Sequence, residues 1–410
     1  MDDTVFARYT RYLLGGTALL MLATVTFNRV IDPFNYFGDI NISGLNAVRT
    51  QMYLFEREVK PVVLHKKQPE SVILGSSIAD IGFDPRHPKL TANGKAAGYN
   101  FGFLNASWRE NLCALEYIFR NTDAKRVVLG VSLSEAMPDE DCTQATEKME
   151  AKHWTTWLDR WATLLVSPQA TTHSFKTMRN QTLDARPTHT PEGRYLVHHD
   201  DYAGEEERVA REFLAGVPAD GSCSMDRLRG SLNEPPPSLD EGGARPLDLG
   251  GLDRILKRIA GRDVKLKIVI YPQHLLSMEV EYLCRRATTR WQALYQIARY
   301  LEQHPPAPPA SVEIWDFQGY SPDFTEPLGA RARGLWLDLI HFRAELGDRM
   351  LDTMFAGASG DADPVTGFGY RVTTASLAER YRWFSEQRTA YLKEHAAAWD
   401  ELARLLPPGR

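Results

Sequence analysis

Four short apolar runs along the chain predict buried β-strands. Each is rich in β-branched or aromatic residues and ends in polar or glycine-containing sequence; they span residues 70–74, 126–131, 264–271 and 312–317. Apolar positions at helical spacing precede three of them, at about residues 45–67, 108–120 and 252–259. Because continuous apolar strands alternating with helices are typical of parallel sheets covered on both faces, the pattern predicts an α/β fold.

The first residues carry a different pattern. Leu13–Phe27 contains no charge, and Arg8 and Arg11 precede it. About 15 apolar residues are fewer than the roughly 20 that cross a bilayer, but flanking aromatic and aliphatic residues extend the run. We predict an uncleaved signal anchor, with its N-terminus in the cytoplasm and the remaining chain outside. A buried core helix is the alternative, and a cleaved signal peptide is disfavoured because no small-x-small site follows the run.

These patterns divide the chain into six segments. They are an anchor helix (1–31), a connector with a helix (32–67), the first part of the main domain (68–137), an insertion or lid (138–245), the second part of the main domain (246–357) and a C-terminal helical tail (358–410). The insertion contains Trp154, Trp157 and Trp161 at helical spacing, which favours core packing over a surface that stacks on ligand. Its proline-rich stretch, residues 234–237, is predicted to be a surface linker.

Composition excludes several classes of protein. The 410 residues are 43% hydrophobic and 25% charged, which excludes a disordered chain, a collagen-like fibre and a polytopic membrane protein. The net charge of −5 gives no indication of nucleic-acid binding. The four cysteines lack zinc-ligand or CxxC spacing, and one or two disulfides remain open. Histidines 198–199 and aspartates 200–201 are adjacent, so their side chains alternate in direction and predict no metal site.

Two polar motifs supply candidate chemistry. Gly75-Ser76-Ser77 follows the first predicted strand directly, and the carboxyl ends of parallel strands are where open α/β sheets bind ligands. A tight turn with a capping hydroxyl is the alternative. Asp338 and His341 follow the last strand three residues apart, so they can share one loop. A serine nucleophile needs a base that a third group orients, and these residue types provide both.

This combination resembles the SGNH (GDSL-type) hydrolases and acyltransferases. The GSS form is closest to membrane-anchored members, such as alginate O-acetylation proteins and the D-alanyl transfer protein of lipoteichoic acid synthesis. The resemblance implies a flavodoxin-like three-layer sandwich with a parallel sheet, an inserted helical lid and the anchor helix. It assigns Ser77 as nucleophile, His341 as base and Asp338 as its orienting carboxylate.

The resemblance also implies an oxyanion hole. Besides the backbone of Ser77, it points to Gly102, within residues 99–105, as a backbone donor, with Asn105 or Asn100 as a further candidate. Ser132 stands where the family has an asparagine, a departure that weakens the predicted hole. His274, after the third strand, and Trp336, beside the Asp-x-x-His motif, are candidate substrate contacts; for His274 a structural loop residue is the alternative.

By this resemblance the protein is expected to be an O-acyltransferase, with acetyl as the expected group, or an esterase acting on a cell-surface polysaccharide. The expected location is the bacterial inner membrane, with one span and the catalytic domain in the periplasm. The expected partners are the polysaccharide, the membrane and a multipass acyltransferase that exports the acyl group; no metal, cofactor or nucleic acid is expected. The alternatives are an inactive SGNH-fold scaffold of an exopolysaccharide complex and a secreted hydrolase of lipids or small esters.

Overall fold

Two units share the chain in this computed structural model. The first comprises Met1–Lys67 and Cys142–Leu196, and the second comprises Gln68–Asp141 and Val197–Arg410. The structure describes residues 3–133, 137–182, 186–197, 206–218, 222–233, 246–284, 287–326, 334–356, 367–395 and 397–406. The histidine–aspartate run at 198–201 and the proline-rich stretch at 234–237 lie outside the described residues.

The second unit is built on a mixed six-stranded sheet. Its strands are β1 (Ser71–Leu74), β2 (Gly98–Asn100), β3 (Arg126–Val131), β4 (Lys265–Ile270), β5 (Ser311–Asp316) and β6 (Tyr370–Arg371). They lie in the order β2-β1-β3-β4-β5-β6; the first five are parallel, and β6 pairs antiparallel with β5. The four predicted strands and the α/β class are therefore confirmed, while the wholly parallel sheet is corrected by β6.

The helices surround this sheet and form most of the first unit. In chain order they are α1 (Asp3–Ile31), α2 (Glu56–Lys67), α3 (Ser77–Gly82), α4 (Trp108–Asn121), α5 (Thr143–Glu150), α6 (Trp154–Trp161), α7 (Pro168–Arg179), α8 (Glu206–Leu214), α9 (Met225–Gly230), α10 (Gly250–Ile259), α11 (Leu275–Leu283), α12 (Ala287–Gln303), α13 (Ala344–Met354), α14 (Thr374–Glu394) and α15 (Ala397–Leu405). A π-helical turn, Ala162–Val166, joins α6 to the loop before α7.

Helices cover both faces of the sheet. Ile73, Val128 and Val269 pack with α3 and α13 in one fully buried cluster. Val72 and Val127, one position away, point to the opposite face because strand side chains alternate, and they are buried as well. On that side α4 packs against β1 and α10. The continuous apolar runs in the sequence follow from this double coverage.

The strand order reverses between β1 and β3. From β1 the chain passes to β2 on one side, then returns through α4 to β3 on the other side of β1. Leu74 pairs with Leu129 at the carboxyl end of this strand pair. A crevice forms at such a reversal because the connections leave the two strands in opposite directions.

The first unit contains the apolar N-terminal helix. Val5–Ile31 of α1 is long and apolar enough to cross a membrane, a test that a signal sequence also passes. Only 11% of its most apolar window is buried, which contradicts the core-helix alternative within the described residues. The end of α1 is fixed by Asn28, whose amide donates to the Leu165 carbonyl at 2.8 Å and to the Thr171 hydroxyl at 3.0 Å.

The described part of the C-terminal tail belongs to the second unit; it contains strand β6 and is helical over α14 and α15. Arg388 of α14 forms a bidentate pair with Glu279 of α11, at 3.0 and 2.7 Å, and both side chains are buried. Leu402 and Leu405 of α15 join an apolar cluster with α8 and α9. A disulfide joins Cys223 to Cys284 in the same region.

Candidate active site

A glycine makes the turn after β1. Gly75 has φ +147°, and a Cβ at this position would lie 2.1 Å from the Tyr271 hydroxyl oxygen. Ser76 follows as the N-cap of α3, its hydroxyl accepting from the Ile78 N–H at 3.4 Å. Ser77 is therefore the first helical residue, directly beyond the carboxyl end of a buried strand.

Tyr271 supports this turn from a neighbouring part of the sheet. It follows β4, is buried, and its hydroxyl accepts the Ser76 N–H at 2.9 Å. The ring passes Gly130 of β3 so closely that a Cβ there would lie 2.3 Å from it. Burial raises the pKa of the Tyr271 phenol to about 12, so it is neutral at physiological pH. The predicted site did not include this residue, although its position as the last residue of the third predicted strand was the available signal.

The Asp-x-x-His motif forms the tip of a tight loop. Trp336 and Phe342 pair as an antiparallel bridge, and the Leu337 N–H donates to the His341 carbonyl at 2.9 Å. Buried aromatic rings, those of Trp336 and Phe342 among them, pack beneath the loop in the core cluster of the second unit. The residues between the bridge partners are therefore fixed by backbone bonds and packing together.

The Asp338 carboxylate accepts three hydrogen bonds inside this loop. One oxygen accepts from the N–H groups of Ile340, at 2.8 Å, and His341, at 2.7 Å; the other accepts from His341 Nδ1 at 2.6 Å. Burial alone would raise the pKa of this carboxyl, but the bonds from His341 and Ile340 hold that pKa below its ordinary value. Asp338 is therefore ionised and fixes which way the imidazole faces.

The structure brings the three predicted residues together. Ser77 Oγ lies 2.8 Å from His341 Nε2, and the opposite ring nitrogen bonds Asp338. Their separation along the chain is 264 residues for the serine and the histidine. With Nδ1–H donating to the carboxylate, Nε2 carries a lone pair toward the serine hydroxyl. This arrangement can take the proton of Ser77 when its oxygen attacks an electrophile.

A cavity of about 290 Å³ opens beside Ser77, at the reversal between β1 and β3. Its described polar lining consists of hydroxyl and amide side chains, and none of the described lining residues is charged: the lining includes Ser76, Ser77, Asn105, Asn111 and Ser132, with apolar Trp108, Met137 and Ile340. Asn105 adopts φ +56° in the loop before α4. Hydroxyl and amide groups suit a neutral, oxygen-rich ligand better than a metal ion. The predicted absence of metal and cofactor stays a prediction.

Some of the predicted oxyanion donors line the cavity, and one of them is already hydrogen-bonded within the fold. Asn105 and Ser132 line the cavity as expected, and the Ser77 N–H lies in the first turn of α3, where amides have no intrahelical acceptor. The structure does not fit the prediction for Gly102: its N–H donates to Asn100 Oδ1 at 2.9 Å, so this N–H is not free to bind an oxyanion. Asn100 in turn donates to carbonyl oxygens of α3 and the residue after it.

Neither predicted substrate contact lies in the described lining of the cavity. His274 is 2% exposed; its Nε2–H donates to the Glu326 carbonyl at 2.7 Å, and Nδ1 accepts from the Leu276 N–H at 3.2 Å as the N-cap of α11. Burial lowers its pKa to about 4, so the ring is neutral. Trp336 is 7% exposed, and its indole N–H donates to the Asp323 carbonyl at 2.7 Å. Both residues are structural, since their polar atoms are already bonded within the fold.

The tryptophan stripe of the insertion is also not a core element throughout. Trp161 is half-buried against the ring of Phe37, but Trp154 is 74% exposed and Trp157 is 49% exposed. All three belong to the first unit, whereas the serine, histidine and aspartate belong to the second.

Comparison with known proteins adds no family to this description. A scan of the sequence against protein-family models gives no match, and a search of curated protein sequences gives none either.

Proposed function

We propose that this chain is a membrane-anchored, extracytoplasmic O-acyltransferase or esterase with an SGNH-like fold. Its substrates are an acyl donor, of which acetyl is the simplest, and a cell-surface polysaccharide. The observation that carries the proposal is the continuous relay Ser77–His341–Asp338, with bonds of 2.8 and 2.6 Å, beside a neutral polar cavity. The strand order β2-β1-β3-β4-β5 supports the SGNH assignment because it is the flavodoxin-like order.

The relay suggests a two-step reaction. His341 Nε2 takes the proton of Ser77 while Oγ bonds to the carbonyl carbon of the donor, and the carbonyl electron pair moves onto its oxygen. The Ser77 N–H, with Asn105 or Ser132, stabilises this oxyanion. Collapse of the intermediate expels the leaving group, which takes the proton from His341. In the second step a sugar hydroxyl, or water, loses its proton to His341 while its oxygen bonds to the acyl carbon. The ester bond to Ser77 Oγ then breaks and Oγ takes the proton from His341, so the acyl group leaves on the sugar or as the free acid.

Two features support the location outside the cytoplasm. Basic residues Arg8 and Arg11 precede the apolar part of α1, which favours a cytoplasmic N-terminus. This charge pattern supports the proposal that the second unit lies in the periplasm. The Cys223–Cys284 disulfide is typical of an oxidising compartment. An acyl donor made in the cytoplasm would then have to cross the membrane, so a multipass acyltransferase that exports the acyl group is the proposed partner.

The test is covalent trapping of the acyl-enzyme. The full chain in detergent is incubated with an activated acetyl ester and its intact mass is measured; we expect an adduct of one acetyl group. Ser77→Ala should form none, and His341→Ala should form it at a rate lower by about 10³-fold or more. Ser311 is exposed at the amino end of β5, at the edge of the sheet away from Ser77. Ser311→Ala is therefore the matched control and should acylate normally. Polysaccharide should then discharge the adduct faster than water does if the enzyme is a transferase.

An inactive scaffold is the second candidate function. It is favoured by the weakened oxyanion hole, in which Ser132 replaces the family's asparagine and the Gly102 N–H is already bonded. Losing one oxyanion donor costs about 10²–10³ in turnover. A folded chain that forms no Ser77-dependent adduct, yet binds polysaccharide, would replace the proposed enzyme by this scaffold.

A further inference from the structure

Helix α6 carries its apolar side chains outward. Trp154, Trp157 and Leu158 are 74%, 49% and 51% exposed, while Arg160 is only 6% exposed and donates to the Lys148 carbonyl at 2.8 Å. A surface helix of a water-soluble protein shows the opposite arrangement, with its apolar face toward the core. The outer face of α6 is therefore suited to a medium less polar than water.

Further exposed apolar side chains lie next to the end of α1. Val166, in the π-helical turn, and Phe175, on α7, are 39% and 55% exposed. The Phe175 ring lies 4.8 Å from that of Phe27. Both the π-helical turn and α7 pack against α1. We name this set the apolar collar; its members are Trp154, Trp157, Leu158, Val166 and Phe175.

Helix α6 reaches the same end of α1 through aromatic contacts. The rings of Trp157 and Trp161 are 5.1 Å apart, and Trp161 meets Phe37 at 5.6 Å. The Arg29 guanidinium, in the last turn of α1, stacks over Phe37 at 4.2 Å. Phe175 therefore meets α1 directly at Phe27, and Trp157 is linked to Arg29 through Trp161 and Phe37, all within a single unit.

When α1 spans a bilayer, its length brings residues 27–29 to a membrane surface. The uncharged stretch between Arg11 and Arg29, residues 12–28, is about 26 Å long at 1.5 Å per residue. Hydrocarbon is about 30 Å thick, so a helix with Arg11 at one headgroup layer reaches the other layer at its very end. Residues 11–23 of α1 are all exposed, and its coverage by the first unit begins only beyond them.

We propose that the apolar collar lies in the headgroup–acyl interface of the membrane that α1 spans. Lipid is the occupant because the apolar collar continues the surface of α1 at the depth where the uncharged stretch ends. Its two tryptophans are also of the type enriched at that depth. The contact compensates for a short span and fixes the orientation of the first unit on the membrane. It is independent of the proposed enzymatic reaction and rests only on α1 spanning the bilayer.

The test measures depth at two positions of one helix. Trp157→Cys and Asp159→Cys, each carrying an NBD fluorophore, are reconstituted as full chains in phosphatidylcholine/phosphatidylglycerol vesicles. No free cysteine occurs among the described residues, so the new thiol takes the label. Asp159 is exposed and, two positions along, faces about 200° away at 3.6 residues per turn, which makes it the matched control.

We expect lipids spin-labelled near the headgroup to quench the probe at 157, and iodide to quench it at least about fivefold less than the probe at 159. The probe at Phe175→Cys, on a separate helix, should be quenched like the probe at 157. It shows whether the result at 157 depends on local unfolding caused by loss of the Trp157 ring. Equal iodide quenching at all three positions would overturn the proposal. Protection at 157 and 175 that appears in native membranes but not in pure lipid would also overturn it, in favour of a protein partner.

Discussion

Replacing Tyr271 by phenylalanine removes the hydroxyl that supports the Ser77 turn, together with the 3.5 Å hydrogen bond that this hydroxyl accepts from Ser76 Oγ. The ring stays in its space against Gly75 and Gly130, so no cavity forms, and the Ser76 N–H loses its acceptor at 2.9 Å. A buried donor left without a partner costs about 1–3 kcal/mol. Because Tyr271 lines the cavity, water can reach the vacated position, and we expect the lower end, about 1 kcal/mol.

The effect on chemistry should exceed the effect on stability. Ser77 follows Ser76 directly, and a displacement of about 1 Å in a reacting group costs up to about 10²-fold in rate. We expect the acylation rate constant of Tyr271→Phe at saturating acetyl ester to fall between about 10- and 100-fold, with little change in the half-saturating concentration. The pKa of the phenol is about 12, so the pH profile between 6 and 9 should keep its shape.

Thermal unfolding measures the effect on stability, and mass spectrometry of samples quenched at successive times measures the acylation rate of the same preparations. The melting temperature should fall by about 2 °C, the shift that 1 kcal/mol produces in a unit as large as Gln68–Asp141 with Val197–Arg410. Tyr295→Phe, a half-buried tyrosine of α12, is the control and should change neither quantity appreciably. A Tyr271→Phe variant that acylates at the wild-type rate would refute the idea that this hydrogen bond positions the nucleophile.

Three further predictions concern the second unit. Gly130→Ala places a Cβ 2.3 Å from the Tyr271 ring, so overpacking should cost about 1–3 kcal/mol in thermal unfolding; an unchanged melting temperature would contradict the close contact. Burial lowers the pKa of His274 from 6.5 to about 4, so the unfolded chain binds a proton at this imidazole more tightly than the folded protein does. The folded protein, which holds the ring neutral, should therefore lose up to about 3 kcal/mol of stability as the pH falls from 6.5 to 4. His274→Asn, which can still cap α11, should flatten the stability–pH slope in that window, and a slope equal to that of the wild type would exclude the buried neutral ring. Reducing the Cys223–Cys284 bridge, or replacing both cysteines by serine, should cost about 4 kcal/mol for a sequence separation of 61, and denaturant unfolding that is insensitive to reductant would contradict this.

The sequence predicted the parts of the fold that depend on long apolar patterns. Strands of four to six residues that are buried on both faces leave largely apolar runs, and these runs predicted β1, β3 and β4. Strand β5 is only partly buried, and its β-branched and aromatic residues predicted it. Strands β2 and β6, of three and two residues, are too short for any period to appear. Ser77 and the Asp338–His341 pair could be predicted because residues that follow parallel strands meet at one edge of the sheet.

Properties that depend on the direction of one hydrogen bond or one side chain could not be predicted from the sequence. The sequence places Gly102 near the site, but the direction of its N–H, toward the Asn100 side chain, depends on the folded backbone. His274 lies at the correct edge, yet it turns inward to cap α11. Helical spacing groups Trp154 and Trp157 on one face, but spacing alone does not say whether that face meets the core or the outside.

Asn100, whose side chain accepts the Gly102 N–H, also holds the helix that Ser77 begins. Asn100, fully buried, donates from its amide to the carbonyl oxygens of Ala79, Asp80 and Phe83, at 3.1, 3.3 and 3.1 Å. These acceptors lie at the end of α3, the short helix that Ser77 begins, where the last carbonyl groups lack intrahelical donors. The Ala79 carbonyl also accepts the Phe83 N–H, at 3.2 Å. A six-residue helix has little stability of its own, so it needs partners at both ends. Tyr271 fixes the turn that enters α3 and Asn100 fixes its exit, which makes the position of the serine a property of the sheet and not of a flexible loop.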